Sequence, residues 1–215
     1  MPPATFTLPL YLDLGATFLF ALTGGMAAVR RGYDVVGLFA LALVAGVGGG
    51  LLRDGLFIQS GPPAFTTDAR YAYVIIAACI VAALLGDRIR RFEVVFAVID
   101  ALGLGAYAAV GVQRSIDAGI TVPVAFLVGV MNACGGGVLR DILTREEPLL
   151  FRPGEFYALA AALGAGVYAL LVVEKIMPPA NAAWATILLT FVFRVLAMRF
   201  HWRTSSLRPP SGIST

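Results

Sequence analysis

Two copies of one heptapeptide hold the side chains best suited to chemistry in this chain: Gly48-Gly49-Gly50-Leu51-Leu52-Arg53-Asp54 and Gly135-Gly136-Gly137-Val138-Leu139-Arg140-Asp141. The chemistry they suit is the handling of an ion. A glycine weakens a helix by roughly 1 kcal/mol relative to alanine, so three in succession inside an apolar run invite either unwinding or close packing. Unwound, they expose carbonyl oxygens that can replace part of a cation's hydration shell. Packed, they let two helices approach. The Arg-Asp that follows sets charge where charge is expensive, and an ionisable group inside an apolar span is a functional candidate by default. Asp13 and Asp100 stand at matching places upstream of the two copies, and Asn132, Thr17 and Tyr107 are further polar groups in apolar surroundings. An enzyme has little to stand on. There is no Walker-type lysine, no Ser-His-Asp set and no paired metal-ligand spacing, and the one histidine, His201, lies among arginines after the last apolar stretch. No catalytic residue, resident metal or cofactor is expected.

The elements that must position these groups are membrane helices. The 215 residues are 59% hydrophobic and 13% charged, where soluble domains carry about 25% charged residues. Seven stretches approach or exceed the length a helix needs to cross a bilayer, about 20 residues, over residues 8–29, 35–57, 69–85, 94–112, 122–143, 156–173 and 182–198. No basic residue precedes the first, so it reads as a retained helix and not a cleaved signal. Cys79 and Cys134 occupy unrelated places in the two copies and read as buried apolar thiols. The expected organisation is a single transmembrane domain over residues 1–203, followed by a disordered tail over 204–215.

A shift of 87 residues superposes the heptapeptides and, without a gap, also pairs Asp13 with Asp100, Gly24 with Gly111, Gly32 with Gly119 and Phe39 with Phe126. Such a register marks a duplication: repeat one over 8–88, repeat two over 94–175, and an unpartnered seventh helix over 182–198. Three spans per unit turn the second unit upside down relative to the first, the inverted-repeat plan of many transport proteins. Of the 16 basic residues, only Arg53, Arg70, Arg114 and Lys175 fall on one face. The positive-inside rule therefore puts the amino terminus outside and the carboxy terminus in the cytoplasm. It also explains the net charge of +3 without a nucleic-acid partner. At matching depths, Asp13 is expected beside Arg53 at the outer mouth and Asp100 beside Arg140 at the inner mouth. Each pair would leave Asp54 or Asp141 as a surplus negative charge that attracts cations. The triplets 48–50 and 135–137 are expected to break the second and fifth spans, one break in each half of the bilayer.

Two inverted three-span units plus a seventh span, with a triple glycine and Arg-Asp in spans two and five, resemble the trimeric intracellular cation channel family, specifically its prokaryotic branch. The resemblance covers nearly the whole chain, from Asp13 to Met198. It implies an all-α integral membrane protein with kinked second and fifth helices, assembled as a homotrimer with a pore in each subunit. That pore would conduct monovalent cations, chiefly potassium, with Gly48, Gly49, Gly50, Gly135, Gly136, Gly137, Asp13, Asp100 and Asn132 along the path. Arg53, Asp54, Arg140 and Asp141 would form its charged mouths. The partners implied are further copies of the chain, membrane lipids and the permeant potassium or sodium, in a prokaryotic inner membrane; a bound lipid is admitted but not required. The animal members' basic lipid-binding motif is replaced here by Arg53-Asp54 and Arg140-Asp141, so their regulation does not carry over. Related bacterial sequences have been labelled glycine transporters, which keeps a secondary transporter of a small solute as the alternative.

Overall fold

The computed structural model describes residues 8–85, 93–152, 156–200 and 202; the expected tail over 204–215 and His201 lie outside them. The described residues form eight α-helices: α1 (Leu10–Arg31), α2 (Val35–Leu52), α3 (Ala64–Thr67), α4 (Arg70–Leu85), α5 (Glu93–Asp117), α6 (Val122–Leu143), α7 (Tyr157–Val173) and α8 (Pro179–Arg199). Five segments are long and apolar enough to cross a membrane, namely α1, Val35–Ile58, Val94–Asp117, α6 and α8. The other two expected spans are the shorter apolar helices α4 and α7, of 16 and 17 residues.

Local signals set the helix ends. Asp34 caps α2 by accepting from the Gly37 N–H at 2.8 Å, and Pro123 and Pro179 stand in the first turns of α6 and α8. Helices α1 and α5 end alike. Gly32 (φ 71°) and Gly119 (φ 79°) turn left-handed. Their N–H groups donate to Val29 and Ile116, and the next N–H groups, of Tyr33 and Ile120, reach back to Ala28 and Ser115. A side chain would strain that backbone, which is why glycine holds both positions.

Helix α1 packs on α2 and α4, and α5 packs on α6 and α7; α1 against α5 and α2 against α6 join the two groups, and α8 lies on α5 and α7. Alanines and glycines dominate the buried positions, while large apolar side chains such as Val35, Leu84, Leu127 and Leu188 face outward. That inside-out distribution suits hydrocarbon as solvent, where helices associate through close contact of small residues and not by hiding apolar surface.

The glycine triplets do not break their helices. Residues 48–50 lie within α2 and 135–137 within α6, and the Gly49 and Gly50 carbonyls already accept from the Arg53 N–H. The departure from α geometry comes just after the first triplet, where Arg53–Ile58 forms a π-helix closed by the Gln59 N–H on the Asp54 carbonyl at 2.9 Å. Helix α6 passes through Arg140-Asp141 without such a turn. Direct contact with a second helix offsets the propensity cost that pointed to unwinding.

Candidate functional site

The two triplets meet. A Cβ built on Gly49 would run into the Asn132 carbonyl, and one on Gly136 into the Ala45 carbonyl; one on Gly48 would lie 2.6 Å from Leu139 Cδ1, and one on Gly135 2.9 Å from Leu52 Cδ1. Each contact is the other's image under the 87-residue shift, so α2 and α6 cross at a reciprocal seam. This corrects the expectation of one break in each half of the bilayer: both triplets occupy a single level. The reason is the reciprocal contact itself, which sets Gly49 against Asn132 and Gly136 against Ala45 and so holds the two triplets at one depth. The third glycine of each triplet has a different task. Beside Gly50 and Gly137 a Cβ would find the motif's own guanidinium at 3.6 and 3.7 Å, so these positions seat Arg53 and Arg140.

Beyond one side of the seam, Arg53 forks onto Asp54, Nε to Oδ1 at 2.6 Å and Nη2 to Oδ2 at 3.0 Å, the bidentate geometry that suits a buried pair. Asp54 also accepts from the Ala64 N–H at 3.2 Å. Asp13 does not bind Arg53. Its Oδ2 accepts from Arg114 Nη2 at 2.7 Å and from the Tyr71 hydroxyl at 2.7 Å. Asp13 and Arg53 are neighbours as expected, lining one cavity of about 10 Å³ with Thr17, Asp54, Tyr71 and Tyr107, room for about one water, but the direct ion pair of Asp13 is with Arg114. With Arg114 present, two arginines balance two aspartates, and the surplus negative charge expected here is absent. Tyr71 and Arg114 escaped the sequence reading because the repeat offers no guide to them: Arg114 falls on Ala27 and Tyr71 on Ala158. Carrying the fourth span past residue 112 to Asp117, as α5 runs, would have put Arg114 inside a helix.

Beyond the other side, Arg140 reaches two carboxylates, Asp100 Oδ1 from Nη1 at 2.8 Å and Asp141 Oδ1 from Nε at 2.9 Å. Its Nη1 also donates to Thr23 Oγ1 at 3.0 Å, and the Phe96 ring lies 4.7 Å from its central carbon. Asp100 and Arg140 therefore stand in direct contact. Asp141 accepts from the Leu149 N–H at 3.2 Å, much as Asp54 does from Ala64. A cavity of about 270 Å³ opens here, where Arg30, Arg140, Arg152 and Arg194 face Asp100, Asp141 and Glu146. Its lining is slightly basic, against the expectation of a net acidic mouth.

Polar groups continue through the seam. Asn132 donates to the Tyr107 carbonyl at 2.7 Å and offers Oδ1 to Arg53 at 3.4 Å. The Tyr107 hydroxyl meets Thr17 Oγ1 at 2.9 Å and donates to the Gly46 carbonyl. Arg53, Arg140, Thr17, Tyr107 and Asn132 are all buried. Among the described residues no group of His, Cys, Asp and Glu is arranged to hold a metal. Cys134 is buried and Cys79 half-buried, both as free thiols.

A family model described as "Glycine transporter" matches residues 10–87 and again 97–173; the two matches begin 87 residues apart, the register of the heptapeptides. The UPF0126 inner membrane protein YadS of Escherichia coli is 31% identical over 89% of this chain and 92% of its own length. A solved structure described as "Structural basis for conductance through TRIC cation channels" superposes with a TM-score of 0.82 at 28% identity, covering 94% of this chain and 98% of that one. The TRIC trimeric intracellular cation channel orthologue from Rhodobacter sphaeroides gives 0.78 at 30% identity, over 89% of this chain and 97% of that one. The fold is that of prokaryotic TRIC channels, and the chain is an integral membrane protein.

Proposed function

We propose that this chain, which belongs to the UPF0126 family of bacterial membrane proteins, is a passive monovalent-cation channel that carries potassium along the α2–α6 seam of each subunit of a homotrimer. The observation that carries the reading is the seam itself: two reciprocal helices with a buried Arg-Asp lock on each side, in a fold shared with TRIC cation channels. In this reading α4 and α7 also cross the membrane, giving seven crossings in two inverted units plus α8. In this reading the distribution of basic residues turns the Arg140 cavity toward the cytoplasm and the Arg53 cluster toward the outside. Aromatic side chains gather where interfacial belts belong: Tyr11 stacks on Trp184 with centroids 6.5 Å apart, and Phe156, Phe193 and Trp202 cluster within 6.2 Å of one another at the far end.

As the side chains stand, each arginine occupies the carboxylates a cation would visit. Conduction requires Arg53 and Arg140 to swing off Asp54, Asp100 and Asp141, which exchanges a fixed positive charge for a mobile one. No resident cofactor is needed; potassium or sodium is cargo, and lipids and two further copies of the chain are the partners. The test is purified protein in a planar bilayer under a potassium gradient, with Asp13→Asn and Asp100→Asn beside it. Discrete single-channel currents, altered in conductance or selectivity by the substitutions, are expected. The description of the matching family model favours a second reading, uptake of a small solute such as glycine. Saturable glycine uptake into liposomes without single-channel currents would establish that reading and overturn the first.

A further inference from the structure

The 87-residue register also pairs the side chains lying between the two arginines, and there the halves differ. Thr17, Tyr107 and Asn132 correspond to Leu104, Phe20 and Ala45. The first three form the connected polar ladder that links Arg53 to the Gly46 carbonyl. Their counterparts toward Arg140 carry no polar side-chain atom, and all three are fully buried.

Phe20 stands where the ladder ends. One face of its ring stacks on Tyr107 with centroids 5.1 Å apart. Its edges fit against three glycines: a Cβ on Gly103, Gly136 or Gly137 would lie 2.9, 3.3 or 3.8 Å from ring carbons. Gly137 is also the seat of the Arg140 guanidinium and sits beside the Tyr157 hydroxyl. The ring therefore separates the last polar rung from the Arg140 cluster, held by α5 and α6 without slack.

We infer that Phe20 is the apolar constriction of the conduction path, the residue that decides whether water, and a cation with it, passes between the Tyr107 ladder and the Arg140 cavity. The inference rests on the channel reading and adds a barrier distinct from the two arginine locks. A packed apolar ring offers a cation nothing in exchange for its hydration shell, and apolar constrictions in channels close by excluding water. At the equivalent position on the other side, Tyr107 has the same ring with an added oxygen.

Potassium efflux from liposomes bearing full-length protein, normalised to folded protein incorporated, tests this with three variants. Leucine and asparagine have nearly the same shape and differ in wetting. Phe20→Asn is expected to pass potassium about tenfold faster than Phe20→Leu, the change that follows from lowering a barrier by about 1.4 kcal/mol. Equal efflux from these two, with the wild type conducting, overturns the assignment and leaves the channel reading standing. Should Phe20→Asn fail to fold, Phe20→Tyr keeps the ring and adds only the hydroxyl that Tyr107 already carries; it must raise efflux, and unchanged efflux overturns the assignment equally. No potassium current or efflux from the wild type or any variant overturns the channel reading and this inference together.

Discussion

Replacing Gly49 or Gly136 by alanine inserts one methyl group into the α2–α6 seam. In both cases the new Cβ meets a backbone carbonyl, Asn132 or Ala45, which cannot rotate away as a flexible side chain could. The helices must move apart by roughly 1 Å to restore ordinary contact, and the neighbouring Gly48–Leu139 and Gly135–Leu52 contacts loosen with them. Overpacking of this kind costs about 1–3 kcal/mol, reduced by the better helix propensity of alanine, worth up to about 1 kcal/mol. Reciprocity makes a sharper demand. The two single variants should cost nearly the same, and Gly49→Ala/Gly136→Ala should cost less than their sum by at least about 0.5 kcal/mol, because the separation forced by the first methyl group accommodates the second. Gly15→Ala is the control: Gly15 is an exposed helical glycine with nothing near its Cβ position, so alanine there should stabilise by about 0.4–1 kcal/mol. Reversible unfolding of detergent-solubilised protein, followed by circular dichroism, reads all four. Strict additivity, or single variants as stable as the wild type, would refute the seam.

Two further outcomes follow from the clusters and the repeat. Arg140→Gln leaves the Asp100 and Asp141 carboxylates without their cation, and breaking a buried pair costs about 3–5 kcal/mol; Arg53→Gln, which strands Asp54 alone, should cost less, and the same unfolding assay ranks them. Ser60 and Glu147 are exposed and 87 residues apart, so inversion puts them on opposite faces. In a chain carrying Cys79→Ala, a membrane-impermeant maleimide applied to intact cells should label Ser60→Cys and spare Glu147→Cys, and labelling of both from one side would remove the inversion.

What the sequence reveals of this molecule follows from what the repeat preserves. The helices are legible because apolar length and proline or glycine punctuation act locally; α6 spans residues 122–143 as its apolar run does. The contact of Asp100 with Arg140 is legible because both belong to the duplicated pattern. Asp13 is held by Arg114 instead, and no rule of symmetry could find a partner that one half alone carries. The glycine triplets show a different limit. Propensity favours unwinding, and only the tertiary contact of α2 with α6 selects packing over it.

The reciprocal seam has a consequence for ancestry. A surface whose contacts map onto themselves under the 87-residue shift is one that two separate copies of a half-length chain could share, since Gly49 of either would meet the same carbonyl on the other. The joint therefore needs no fusion to form. Once two such units are linked, a change on the axis is felt by both halves at once, whereas off the axis each half is at liberty to differ. Arg114, Tyr71 and the Phe20–Tyr107 inequality are where this chain has used that liberty. The two halves are equal on the axis and unequal away from it.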